Sequence, residues 1–217
     1  MFYQSPSYEP DHLSFAFARI AQSDVACVVH ERAMPDSLAL WLDALPLSQL
    51  PDGRVLIRPS QSHDALAAIF MASRTSAGPM RDLLASDIAD LTARFSAFSG
   101  SAMVDLRLEA VTQDHCWRFH RDNVLWRLLT TYRGAGTEWV EARDAERALE
   151  TQRDYSGSLN QLQRFAVGMF KGMASSPELA VLHRSPHMPR LQKAPNRQAR
   201  LLLCLNLPSE TSPEPWR

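Results

Sequence analysis

The chain has no apolar run near the ~20 residues that a membrane-spanning helix requires. Cysteine is scarce: Cys27, Cys116 and Cys204 are odd in number, widely spaced and form no Cys-x-x-Cys pair. That argues against a disulfide scaffold and against a structural zinc site built on paired cysteines, and it fits a reducing cytoplasm. Neither sign of charge dominates. The formal net charge is -1, so no global basic field argues for nucleic acid or an anionic membrane surface. The opening residues, Met1-Phe2-Tyr3-Gln4-Ser5, lack a charged segment followed by an apolar one, so no signal peptide is expected. There is no internal repeat and no long low-complexity tract. What is present is ordinary for a globular chain: 45% hydrophobic and 22% charged residues, in 217 residues, suffice for one large domain.

Periodicity divides the chain in two. Residues 1–100 are α-rich, with helices expected from Pro35 to about Leu45, over Ser62–Ala72 and over Met80–Phe98. In the last of these Leu83, Leu84, Ile88, Leu91, Phe95 and Phe98 recur at three- and four-residue steps, and Gly100 supplies a stop. Val25–His30 and Val55–Pro59 are short strand candidates within this part. From Gly100 the period changes. Asp105, Arg107 and Glu109 interleave with Val104, Leu106 and Leu108, the alternation of a half-buried strand. Further strands are expected at Cys116–His120, Leu125–Tyr132, Thr137–Val140, Phe165–Phe170, Leu179–His183 and Arg200–Leu207. Residues 141–160 are polar and suit a solvated loop or short helix. Residues 101–207 thus form a β-rich core, in which short strands with tight turns suggest a barrel-like or jelly-roll sheet pair in an α+β protein. Residues 208–217 suggest a polar, proline-rich, disordered tail.

One constellation points to chemistry. His120 and Asp122 stand two residues apart, and on a strand such residues share a face. A third ligand would complete a facial triad with open positions, the geometry that suits non-haem Fe(II). His183, 61 residues after Asp122, ends an apolar run and supplies that ligand. Arg200 follows 17 residues later and opens another apolar strand, where its bidentate, permanent charge could anchor the far end of a dicarboxylate cosubstrate. Arg197 is its rival for that role, and the hydroxyls of Thr130 and Tyr132 could assist. The bland readings stand beside these: a local His–Asp hydrogen bond, and solvent-facing arginines. His187 or Cys116 could close the shell with a fourth donor, which would favour zinc. Glu138 could support a histidine ligand or be merely solvated.

The stretch Cys116-Trp117-Arg118-Phe119-His120-Arg121-Asp122, followed by Arg127 to Trp139 with its Thr-Tyr-x-Gly-x-Gly-Thr-Glu-Trp phrase, resembles the DUF1826 family of bacterial proteins of unknown function. His183-Arg184-Ser185-Pro186 and Arg200-Leu201-Leu202-Leu203 continue that resemblance. The order of elements is also similar to that of Fe(II)/2-oxoglutarate dioxygenases. This second likeness implies a C-terminal double-stranded β-helix with the N-terminal helices packed on it, iron held by His120, Asp122 and His183, and 2-oxoglutarate anchored by Arg200 or Arg197. Pro186, Pro189 and the long polar stretch before Arg200 depart from that pattern.

Three functions compete. The first is an Fe(II)/2-oxoglutarate-dependent oxygenase acting on an unidentified substrate. The second is a non-oxidative metal-binding protein on the same fold, handling or sensing zinc. The third is an interaction domain in which His-x-Asp is incidental. Substrate and oligomeric state cannot be read from the residues.

Overall fold

The three- and four-residue spacing before Gly100 does build a helix, and its stop is a glycine at φ 67, a left-handed conformation that ends helices without a Cβ penalty. The structure is a computed structural model that describes residues 2–5, 10–111, 116–186 and 199–217. In chain order its elements are β1 (Phe2–Ser5), α1 (Pro10–Ile20), β2 (Cys27–His30), α2 (Asp36–Ala44), β3 (Gly53–Ile57), α3 (Ser62–Ala72), α4 (Pro79–Ser99), β4 (Val104–Val111), β5 (Trp126–Arg133), β6 (Glu138–Trp139), α5 (Ala145–Thr151), β7 (Asn160–Gln161), β8 (Val167–Lys171), β9 (His183–Arg184) and β10 (Arg200–Asn206). Among the described residues, no helix is long and apolar enough to cross a membrane.

A seven-stranded sheet has the order β1-β2-β8-β5-β10-β4-β3, and a smaller one the order β7-β6-β9. His120 extends the small sheet by an antiparallel bridge to His183 in β9. From β4 onward the chain alternates between sheets: β4 in the large one, His120 in the small, β5 large, β6 and β7 small, β8 large, β9 small, β10 large. That winding is a double-stranded β-helix. Helices α1 to α4 cover the outer face of the large sheet. There Phe17, Leu38, Leu66, Leu84, Ile88 and Phe95 pack with Leu106, Leu128, Leu201, Leu203 and Leu205 in one buried cluster. The inner face turns toward the small sheet across a second cluster that includes Cys27, Leu129, Trp139, Phe170 and Cys204.

The strands expected within residues 1–100 join the large sheet: β1 and β2 extend one edge and β3 forms the other, because Cys27–His30 pairs with β8 and Gly53–Ile57 with β4. Three expectations need correction. Residues 116–119 are not a strand. Cys116 has φ 54, which breaks extended pairing, so only His120 bridges. Of Leu179–His183 only the last residue is in a strand. The tail at 208–217 is not disordered: Trp216 N–H donates to the Leu56 carbonyl, and Ser212 Oγ donates to Asp105 Oδ2 at 2.6 Å. Trp216 also packs against the helix-side core, which holds an otherwise polar segment in place.

Candidate metal centre

Alternation sorts the large sheet's side chains. On β4 and β10, Leu106, Leu108, Leu203 and Leu205 face the helices. Their neighbours Arg107, Glu109, Leu202, Cys204 and Asn206 line a cavity of about 300 Å³ between the sheets. From the opposite wall His120 and His183 enter the same cavity. A cavity of about 380 Å³ lies elsewhere, lined by Arg121, Val140 and Leu182 among others, and by none of the three residues discussed next.

His120 and His183 are locked together by reciprocal backbone hydrogen bonds, each N–H to the other's carbonyl at 3.0 Å. Each ring places Nδ1 at the carbonyl two residues back, His120 at Arg118 (2.8 Å) and His183 at Val181 (3.0 Å). A carbonyl only accepts, so Nδ1 carries the proton in both rings, and a neutral ring then has its Nε2 lone pair free. The two Nε2 atoms face one carboxylate. His120 Nε2 lies 3.7 Å from Asp122 Oδ1, and His183 Nε2 lies 3.1 Å from Oδ2. The main chain of Asp122 is fixed from β8's exit, where Met173 N–H donates to its carbonyl at 2.8 Å.

Ligand atoms of His120, Asp122 and His183 all lie within 4.8 Å of one another, a set that could hold a metal ion. Charge and hydrogen bonding fit that. Burial, then the neighbouring His183, pull the His120 imidazole below its ordinary range and favour the neutral, ligating form. Burial opposes ionisation of the Asp122 carboxyl, but His183, Arg127 and His120 outweigh it and hold the group down to about 2. Asp122 Oδ2 is buried yet makes no well-oriented hydrogen bond among the described residues, although Arg127 Nη1 stands 2.5 Å away. Two imidazole lone pairs and a carboxylate converging on one point leave three acceptors with no hydrogen between them. A divalent cation satisfies all three.

Arg200 is 1% exposed. Its Nη1 donates to Ser185 Oγ at 3.1 Å, while Nε and Nη2 are buried without a partner among the described residues. Burial draws its pKa down to about 10, against the opposing pull of Glu109, Glu138 and Cys116, so it stays charged at neutral pH. By alternation it shares the inner face of β10 with Leu202 and Cys204. A buried guanidinium with two idle nitrogens calls for an anion.

The other candidates fare differently. Tyr132 does not reach this cavity. Its side chain lies in the helix-side core, where its hydroxyl bonds Asp87 Oδ2 at 2.5 Å, and Asp87 is also held by Arg32. Thr130 shares that β5 face with Leu128 and Tyr132, so it too points away from the site. Arg197 and His187 lie outside the described residues. Cys116 lines the cavity but is not one of the three converging donors. Glu138 pairs with Arg184 at 2.8 Å rather than with a histidine.

The profile of the family described as "Protein of unknown function (DUF1826)" matches residues 12–206. The chain belongs to the DUF1826 family. No curated protein matches this DUF1826 member. Solved structures do. The dioxygenase for auxin oxidation 1 from Arabidopsis thaliana, solved with 2-oxoglutarate, is 14% identical over 99% of this chain and 95% of that one, with a TM-score of 0.47. A Kdo hydroxylase described as a non-haem Fe(II) alpha-ketoglutarate dependent dioxygenase is 8% identical over 95% and 88%, with a TM-score of 0.42. A full-length protein of Neurospora crassa, solved in complex with alpha-KG, is 12% identical over 90% and 78%, with a TM-score of 0.44.

Sequence reasoning passed over three residues that this DUF1826 chain brings to the site. Arg127 pairs with Asp122, Asn206 holds Arg127, and Cys204 lies beside both. The signal was alternation. Each shares a strand face with a residue that lines the cavity, but a face of mixed polarity looks like a solvent face until the second sheet is known to cover it.

Proposed function

We propose that the protein is a non-haem Fe(II) oxygenase that uses 2-oxoglutarate. Two unmet needs support this most directly, on a cavity lined by His120 and His183 and by Ser185, the partner of Arg200. His120, Asp122 and His183 present acceptors that need a cation, and buried Arg200 has nitrogens that need an anion. Iron held by His120, Asp122 and His183 would supply the activation of dioxygen, with 2-oxoglutarate consumed as co-reductant, for oxidation of a substrate C–H bond. The chain's own residues do the rest. The histidines are oriented by the Arg118 and Val181 carbonyls, which hold both rings with Nε2 inward. Arg200 accepts the distal carboxylate through its idle nitrogens, with Ser185 steadying one arm. Leu129 and Leu202 add apolar surface to a cavity otherwise lined largely by charged and polar side chains.

The zinc-handling alternative needs a closed, four-donor shell. Among the described residues the cluster holds three donors, which favours the open site. The test is calorimetric titration of 2-oxoglutarate into the anaerobic Fe(II)-loaded protein. One equivalent is expected to bind, and metal-free protein is expected to bind it at least about tenfold more weakly, since chelation adds to the arginine contact. Stoichiometric zinc in the protein as isolated, with no binding of 2-oxoglutarate to any metal form, would overturn the reading.

A further inference from the structure

Among the described residues, Arg127 is the cation in direct contact with the cluster. It stands on β5 opposite Asn206 of β10 in the strand register. Its Nε donates to Asn206 Oδ1 at 2.9 Å, and its Nη1 lies 2.5 Å from Asp122 Oδ2. Asn206 is itself oriented, because its amide nitrogen donates to Cys204 Sγ at 3.4 Å, which leaves the amide oxygen for the arginine. A chain of contacts on the inner face therefore runs Cys204, Asn206, Arg127, Asp122. The Arg127 side chain is 22% exposed and that of Asp122 13%, so water screens the pair only partly.

An arginine ion-paired with Asp122 Oδ2, without a well-oriented hydrogen bond to it, has two consequences for an ion at the triad. First, the guanidinium would compete with the ion for Oδ2, which leaves Oδ1 as the freer oxygen. Three protein donors would then leave an ion with open positions for a cosubstrate and for oxygen. Second, a positive charge beside the site repels the incoming cation and draws electron density from its anionic ligand, so the ion is held less tightly than the donor set alone would hold it. We propose that Arg127 is a positioning residue that restricts Asp122 to one-oxygen ligation. It gives up metal affinity and keeps coordination positions free. The proposal rests on the triad holding a divalent ion, as in the function proposed above.

Removing the charge should therefore tighten metal binding, the opposite of what loss of a merely structural contact does. The experiment titrates anaerobic, metal-free full-length protein with Co(II), and then adds 2-oxoglutarate, following the visible d–d bands. Arg127→Gln removes the repelling charge and is expected to bind Co(II) about tenfold more tightly than wild type. It should also show weaker absorption, as its carboxylate becomes bidentate, and bind 2-oxoglutarate about tenfold less tightly once Co(II) is in place. Arg127→Lys keeps the charge, and both affinities should stay close to wild type. Asn206→Leu leaves the arginine but cuts its tether. It should move both readouts the same way as Arg127→Gln by a smaller factor, and it serves if the glutamine variant does not fold. Unchanged or weaker Co(II) binding in Arg127→Gln, or equal losses in the glutamine and lysine variants, would overturn the proposal. Should wild type take up no Co(II) at all, the oxygenase reading falls and this proposal with it. A wild type that binds while Arg127→Gln does not tighten contradicts only the role of Arg127.

Discussion

The rings of His120 and His183 lie with centroids 4.6 Å apart, on residues joined by a pair of backbone hydrogen bonds across the small sheet. Two residues 63 positions apart in the chain are thereby held in fixed register. Their spacing depends on sheet geometry, so the donor set is built before any ion arrives.

Arg200 tests whether stability has been given up for binding. Arg200→Met removes a buried charge with two unsatisfied nitrogens and loses one hydrogen bond, to Ser185. Replacing such a group by an apolar one of similar length should leave stability without ligands unchanged within about 1 kcal/mol, or raise it. Binding of 2-oxoglutarate should fall by at least about tenfold. Urea denaturation and calorimetry read the two effects separately. A large loss of stability with no change in cosubstrate binding would assign Arg200 to the fold alone.

Tyr132 provides the converse case. Tyr132→Phe deletes a hydroxyl that reaches buried Asp87, which Arg32 continues to satisfy. Stability should fall by about 1–2 kcal/mol. Metal and 2-oxoglutarate affinities should not change, because this side chain points to the helices. A tenfold or so loss of cosubstrate affinity in a folded variant would restore the residue to the site.

Gly172 links the fold to the ligand. A Cβ there would stand 2.2 Å from the Val124 carbonyl oxygen and 2.8 Å from that of Asp122. Both are backbone atoms that cannot swing away. Gly172→Ala should therefore shift the Asp122 loop, lower stability by about 1–3 kcal/mol and weaken metal binding. Gly136→Ala is the control: its Cβ would press on the Leu162 carbonyl at 1.9 Å, and its nearest neighbours include none of the three donors. It should cost stability with a smaller effect on the metal. Equal metal losses in the two variants would contradict a specific coupling at Gly172.

Much of the site was legible because its signals are local. His-x-Asp places two donors together at any extended segment, and a histidine or arginine at the border of an apolar run stands out by its chemistry alone. What could not be read was facing. Strand β5 is buried on both sides, so Leu128, Thr130 and Tyr132 differ little in character from Leu129 and Thr131, and alternation does not say which set meets the cavity. For that reason the sequence alone puts Tyr132 on the wrong side and gives no hint of Arg127. The helices of residues 1–100 were legible from their period. The joining of β2 and β3 to the large sheet was not, because short strands carry no record of distant partners. The tail's composition suggested disorder, but a single contact residue, Trp216, decides its place.

The claim that His120, Asp122 and His183 hold iron with positions free for 2-oxoglutarate is tested most directly by one spectrum. Fe(II) and 2-oxoglutarate are added together to the anaerobic protein, and the visible absorption is compared between wild type and Asp122→Ala. The expected result is a weak metal-to-ligand charge-transfer band in wild type that requires both additions and disappears in the variant. A wild-type protein that shows no band, or an Asp122→Ala variant that shows it undiminished, would contradict the account.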